Sequence, residues 1–129
     1  VCSPALLGGA RMPLGLDDLA RFPLLHARYR RADWTDWAAA AGRPELADLP
    51  GLEMPSSVLA YQAAQEGLGM AMGQAGLLEA DFARGTLVRP FDRPLRRPLA
   101  YHLLTPADRE PALPGRPFRA WIRTALGVG

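Results

Sequence analysis

The sequence predicts an α/β domain with a mostly parallel sheet covered by helices on both faces. Three observations point there. Residues 54–91 alternate short apolar runs with amphipathic helical runs in a β-α-β-α-β order. The runs Leu24-Leu25-His26 and Met70-Ala71-Met72 are short and nearly all apolar, which suits strands buried on both faces. Between them, Trp34, Trp37, Ala38 and Ala41 recur at i, i+3, i+4 and i+7, the spacing of a helix with one packed side.

Taken in order, residues 1–2 read as the end of a strand. Residues 16–22 read as a short helix, with Asp17 and Asp18 at its positive end and Pro23 as its stop. Residues 24–26 form a strand, and Asp33 caps a helix that Gly42 ends. The stretch 43–51 holds two prolines and reads as a connection, leading to a weak strand at 51–54. Ser56 or Ser57 caps the next helix, which runs to about Glu66. Gly67-Leu68-Gly69 precedes a strand rather than opening a helix, so it is a tight reversal and not a nucleotide turn. After the strand at 70–72, residues 77–84 are helical with Gly85 at the carboxyl end, and 87–89 form a strand. Residues 90–98, with three prolines and several arginines, make a stiff basic crossing segment and the best boundary. Residues 99–104 read as a strand, 105–116 as a loop, and Pro117 opens a last helix striped by Phe118, Trp121, Ile122, Ala125 and Leu126.

The chain has 129 residues, enough for one modest domain or a piece of a longer protein. Val1-Cys2-Ser3-Pro4 looks like the tail of a strand that began earlier, which suggests a fragment. All 15 basic residues are Arg, with no Lys, no Asn and a single Ile, Ile122. That bias indicates a GC-rich, bacterial genome, so arginine abundance alone carries no function. The single cysteine, Cys2, makes no internal disulfide and fits a cytoplasmic location. No apolar run approaches the roughly 20 residues of a membrane span, so no membrane partner is expected.

Parallel strands place their carboxyl ends on one edge, and ligands of wound α/β sheets bind beside that edge. The edge here collects the loops 26–33, 54–57 and 73–75. Ser56 and Ser57 sit at a helix amino end, where free N–H groups and a hydroxyl share an anion; an ordinary cap is the competing reading. Arg28, with Arg30 and Arg31, either forks onto an effector carboxylate or pairs with Asp33 and Asp36. His26 closes a buried strand at the cleft and reads as a half-buried, hydrogen-bonded side chain rather than a proton-transfer group. Gly73 and Gln74 lie in the third loop. Trp34 and Trp37 read as packing rather than a ligand cage, and His102 receives no role. No nucleophile–base pair and no set of metal ligands is present, so the sequence predicts recognition without catalysis, cofactor or metal.

The ordered pieces VCSPALL, DDLARFPLLH, DWTDWAAAAG, SSVLAYQAAQEGLGMAMG, FARGTLVRPF, AYHLLTP and FRAWIRTAL resemble the effector-binding domain of LysR-type transcriptional regulators. The likeness is to the subgroup of the glycine-cleavage activator and the β-lactamase regulators. It implies a lobe of the type 2 periplasmic-binding-protein fold. Residues 1–98 would be the second lobe, and 99–129 the returning strand and last helix of the first. The family's winged helix-turn-helix, and hence its contact with DNA, would lie in a domain outside this chain. The resemblance implies a small-molecule effector, an anion among the options, and a homodimer or higher homo-oligomer. It places Met54 and Pro55 beside Ser56 and Ser57 at the cleft. It also implies dimer contacts from Leu77, Leu78, Phe82, Leu87 and Val88, for which plain core is the alternative. A transport-type solute-binding protein of the same fold, or a module for subunit contact only, are the other functional readings.

Overall fold

The computed structural model describes residues 1–98, 102–104 and 115–127. The chain divides into two compact units, Val1–Arg96 and Arg97–Gly129. In the first unit, strands β1 (Leu24–Ala27), β2 (Gly51–Met54) and β3 (Met70–Ala71) form a parallel sheet in the order β2-β1-β3. Leu24 pairs with Gly51 and Met70, Leu25 with Leu52 and Ala71, His26 with Glu53, and Ala27 with Met54.

Adjacent residues of a strand face opposite ways, and β1 uses that alternation to build two cores. On one face Leu24 and Met70 cluster with Trp34, Trp37 and Ala38 of helix α1 (Ala32–Ala40). On the other, Leu25 and Ala71 cluster with Ala60, Tyr61, Ala63 and Ala64 of helix α2 (Ser57–Gln65). Small alanines let α2 lie close to the sheet, whereas α1 fills its side with two indoles. Trp34 and Trp37 pack edge to face, 5.7 Å between centroids at 89°. Trp34 Nε1 donates to the Leu25 carbonyl at 3.2 Å and Trp37 Nε1 to the Arg93 carbonyl at 2.8 Å, so both buried rings are satisfied. The tryptophans are packing residues, as their spacing predicts.

Two glycines bring the strands together. A Cβ on Gly69 would stand 2.4 Å from the Pro23 carbonyl oxygen, and one on Gly51 would stand 2.3 Å from that of Leu24. Gly67, at φ 79°, adopts the left-handed conformation that reverses the chain between α2 and β3. That is the tight turn expected of Gly67-Leu68-Gly69.

Several elements differ from expectation. The short helix expected at 16–22 is present as the 3-10 helix Leu16–Arg21, in which only Leu19 is buried. Asp33 is not the cap of α1, which starts one residue earlier. Asp33 lies in the first turn and is held by Arg30 at 2.7 and 3.3 Å. The helix expected at 77–84 is broken at Leu78, whose ψ of 11° divides the 3-10 turn Ala75–Leu77 from α3 (Glu79–Arg84). The strand expected at 87–89 is reduced to one antiparallel bridge between Val88 and Cys2, with backbone bonds of 2.8 and 3.2 Å. The Val1 carbonyl accepts from Ala71 N–H at 2.9 Å. Of the strand expected at 99–104, residues 102–104 are irregular and 99–101 lie outside the described residues, as does most of the 105–116 loop.

The second unit contains α4 (Gly115–Leu126), with Pro117 in its first turn. Phe118 and Trp121 stack at 5.8 Å on its apolar stripe, and both are exposed, as is Leu126. Among the described residues, no helix is long and apolar enough to cross a membrane.

Candidate functional site

The chain leaves β1 toward the face covered by α1, but leaves β2 and β3 toward the face covered by α2 and α3. Where neighbouring strands send their exits to opposite faces, a crevice opens at the carboxyl edge. Here the β1 exit departs from those of both neighbours, so the carboxyl end of β1 is where such a crevice is expected.

Four pieces meet at that edge. Ala27 pairs with Met54, which brings the Arg28–Arg30 turn next to Pro55 and Ser56. Ser56 is the cap of α2: its Oγ accepts from Leu59 N–H at 3.3 Å. Ser57 is the first helical residue, and its hydroxyl makes no hydrogen bond within the described residues. The N–H groups of Ser57 and Val58, in the first turn, have no carbonyl of the helix behind them. Tyr61, one turn on and buried, accepts from Gln74 N–H at 3.3 Å and ties the β3 exit to α2. Gly73 is packed rather than open. A Cβ there would stand 2.6 Å from Leu78 Cδ1 and 3.0 Å from Val1 Cγ1.

The structure therefore gathers Met54, Pro55, Ser56, Ser57, Arg28 and Gln74 at one edge, with Gly73 supporting the turn beneath. His26 is set back from it. Its ring overlies Gly51, where an added Cβ would stand 2.8 Å from Nε2. Burial, and secondarily the charge of Arg31, hold the His26 pKa below its usual 6.5. The folded chain thus keeps His26 neutral where the unfolded chain takes a proton. Stability contributed by this group is fully present above about pH 6.5 and falls as the pH drops toward the lowered value. Urea midpoints at pH 7.5 and 5 measure this, and His26→Gln is expected to flatten the difference.

Arg28 Nε reaches Glu53 Oε1 at 3.1 Å, and Arg31 pairs with the other oxygen of the same carboxylate. Local sequence patterns do not single out Glu53. Its signal is register: it stands one residue before the end of a strand and carries the only charge in that strand. Tyr61 is likewise absent from the expected site, although it lies four residues from Ser57 and so on the same side of the helix.

The residues expected at a subunit contact divide. Leu78 is 3% exposed and Leu87 1% exposed, so both side chains are taken up by the chain's own core. Phe82 and Val88 are partly buried, with the Arg89 guanidinium 4.3 Å above the Phe82 ring. Leu77 remains open at 61%. Among the described residues, no three His, Cys, Asp or Glu side chains form a metal-holding group.

Parallel strands flanked by helices, with their exits along one sheet edge, define an α/β lobe of the wound type. The chain belongs to the LysR substrate binding domain family, whose model matches residues 1–127. It is 31% identical over 122 residues to the glycine cleavage system transcriptional activator of Escherichia coli (strain K12), covering 95% of this chain and 40% of that protein. It is 30% identical over 128 residues to the HTH-type transcriptional activator AmpR of Citrobacter freundii, covering 98% and 42%. The chain thus spans about two-fifths of the length of these curated relatives. Among solved structures, the AmpR effector binding domain from Citrobacter freundii superposes with a TM-score of 0.70 at 26% identity, over 99% of this chain and 62% of that one. The effector domain of AmpR of Pseudomonas aeruginosa gives 0.73 at 23% identity, over 98% and 58%, a likeness of fold.

Proposed function

We propose that this chain is the effector-sensing and oligomerisation region of a bacterial LysR-type transcriptional regulator working in the cytoplasm. Residues 1–98 act as the second lobe of its effector domain, and 99–129 return to the first. A small metabolite docks at the carboxyl edge of β1 without being chemically changed, and contact with DNA falls to another domain of the regulator. Differential affinity of the metabolite for two arrangements of the oligomer supplies the signal, typically worth about 1–3 kcal/mol.

One observation carries the reading. At the crevice, the amino end of α2 presents the unbonded Ser57 hydroxyl and two first-turn N–H groups, flanked by Arg28 and the Gln74 turn. Such an end takes an anion or a carbonyl oxygen. The transcription activators among the relatives favour a regulator over a transport protein or an enzyme. Self-association is supported by exposed apolar side chains, Leu77 and also Leu52, Val58 and Leu59 around the outermost strand β2.

The test is a thermal-shift screen of the 129-residue chain against amino acids and small organic acids, followed by calorimetry. Ser57→Ala is expected to weaken a confirmed hit about tenfold, the loss of one hydrogen bond to ligand. Ser56→Ala is expected to cost about 1 kcal/mol of stability through the lost cap. A hit whose affinity ignores both substitutions removes the proposed docking edge.

A further inference from the structure

Three arginines follow β1, and the structure sorts them. Arg30 is committed to the fold: its Nε and Nη2 donate to the two carboxylate oxygens of Asp33, which is buried. Arg28 and Arg31 stand on the exposed rim and converge on Glu53, one on each carboxylate oxygen. Two guanidiniums share a single carboxylate, so the cluster keeps an excess positive charge. Glu53 reaches this position because it pairs with His26, one step before the Ala27–Met54 pair that ends the strands. The same edge carries Ser57. Tyr29, between the arginines, is 86% exposed.

We propose that Glu53 is an internal counter-anion, holding Arg28 and Arg31 in the free chain and giving way to an oxyanion, carboxylate or phosphate, carried by the effector. This inference rests on the reading that a metabolite docks at the carboxyl edge. A guanidinium fork fits a carboxylate or phosphate through paired N–H donors, and Glu53 engages each arginine through one nitrogen only, Arg28 by Nε and Arg31 by Nη2. The two arginine side chains are 55% and 68% exposed and that of Glu53 36%, so solvent screens the pairs and each contributes little. The more buried Arg30–Asp33 pair is screened less. An incoming oxyanion that displaces Glu53 gains two guanidiniums, while a neutral ligand of the same shape gains none. Glu53 therefore sets the charge that the site selects and lowers affinity for every anion that must compete with it.

The probes are glutarate and inorganic phosphate, with the neutral diamide glutaramide as control, titrated into the 129-residue chain by calorimetry. Glu53→Gln removes the competitor and is expected to bind at least one of the two anions about tenfold tighter than the parent, with glutaramide unaltered. Arg28→Gln with Arg31→Gln is expected to bind that anion about tenfold weaker than the parent. A gain confined to glutarate assigns a carboxylate effector, and one confined to phosphate assigns a phosphorylated one. The inference is overturned if Glu53→Gln binds both anions no better than the parent, if neither anion binds any variant, or if glutaramide changes in parallel. Unfolding curves of each variant confirm that the substituted chains fold. Ser57→Ala separates the two ideas. A metabolite hit that weakens in Ser57→Ala but ignores Glu53→Gln removes the counter-anion and leaves the docking edge. A hit indifferent to Ser57→Ala and Ser56→Ala removes the docking edge itself.

Discussion

Gly69→Ala is expected to destabilise the first unit by about 3 kcal/mol or more, at the severe end for one added methyl group. The new Cβ would lie 2.4 Å from the Pro23 carbonyl oxygen and 3.2 Å from the Leu25 side chain. Neither neighbour yields easily. Pro23 is fixed in φ by its ring, and its carbonyl accepts from Met70 N–H at 2.9 Å. Relief therefore requires β3 to lift from β1, which breaks that bond and opens the core around Leu25 and Ala71. Gly76→Ala is the control. A methyl group there would meet nothing within 4 Å, and the Gly76 backbone is not left-handed. Its stability is expected to change by less than about 0.5 kcal/mol. Urea unfolding followed by circular dichroism compares the two. Equal midpoints would mean that the strand contact is looser than the geometry indicates.

Trp37→Ala is expected to cost about 3–5 kcal/mol. The indole is buried between Trp34 and Phe91, 5.7 and 5.6 Å away between centroids, and its Nε1 anchors the Arg93 carbonyl at 2.8 Å. Trp37→Phe separates the two contributions. It keeps most of the ring but leaves the Arg93 carbonyl to water, so a loss of only about 1 kcal/mol is expected. The ring, not the hydrogen bond, then dominates stability. The bond's separate effect is to hold the backbone of the basic segment 90–98 at Arg93. Proteolysis within that basic segment is expected to quicken in Trp37→Phe even though the core persists.

The layered fold is legible in the sequence because its strongest signals are periodic. Trp34, Trp37 and Ala38 recur at the helical spacing and do bury one side of α1, and the Leu24–Leu25 pair does face two cores. Legibility is poorest where one or two contacts decide conformation. Leu78 reads as a helical residue, yet it is buried against Gly73 and its ψ of 11° lies outside the helix. Val88 reads as a strand, but with only Cys2 opposite it forms a bridge and no ladder. At the candidate site, the Ser56–Ser57 turn is visible because capping is a local matter. The assignment of the cap to Ser56, and so the freedom of Ser57, depends on the folded geometry. The pairing of Arg28 with Glu53 spans 25 residues and follows from strand register, which no local pattern encodes. His26 is half-buried, as its place at the end of a buried strand suggests, but the lie of its ring over Gly51, two residues before its register partner Glu53, depends on the folded sheet.

The bridge between Cys2 and Val88, with Val1 bonded to Ala71, joins the beginning of the first unit to its far side. A ribosome delivers those partners far apart in time. Until residue 71 has emerged the central strand has a neighbour on one flank only, and until residue 88 has emerged Cys2 has none. Long-range closure of this kind slows folding. The sheet and its antiparallel bridge therefore close only when residues 70–88 are available, well after the central strand has been made.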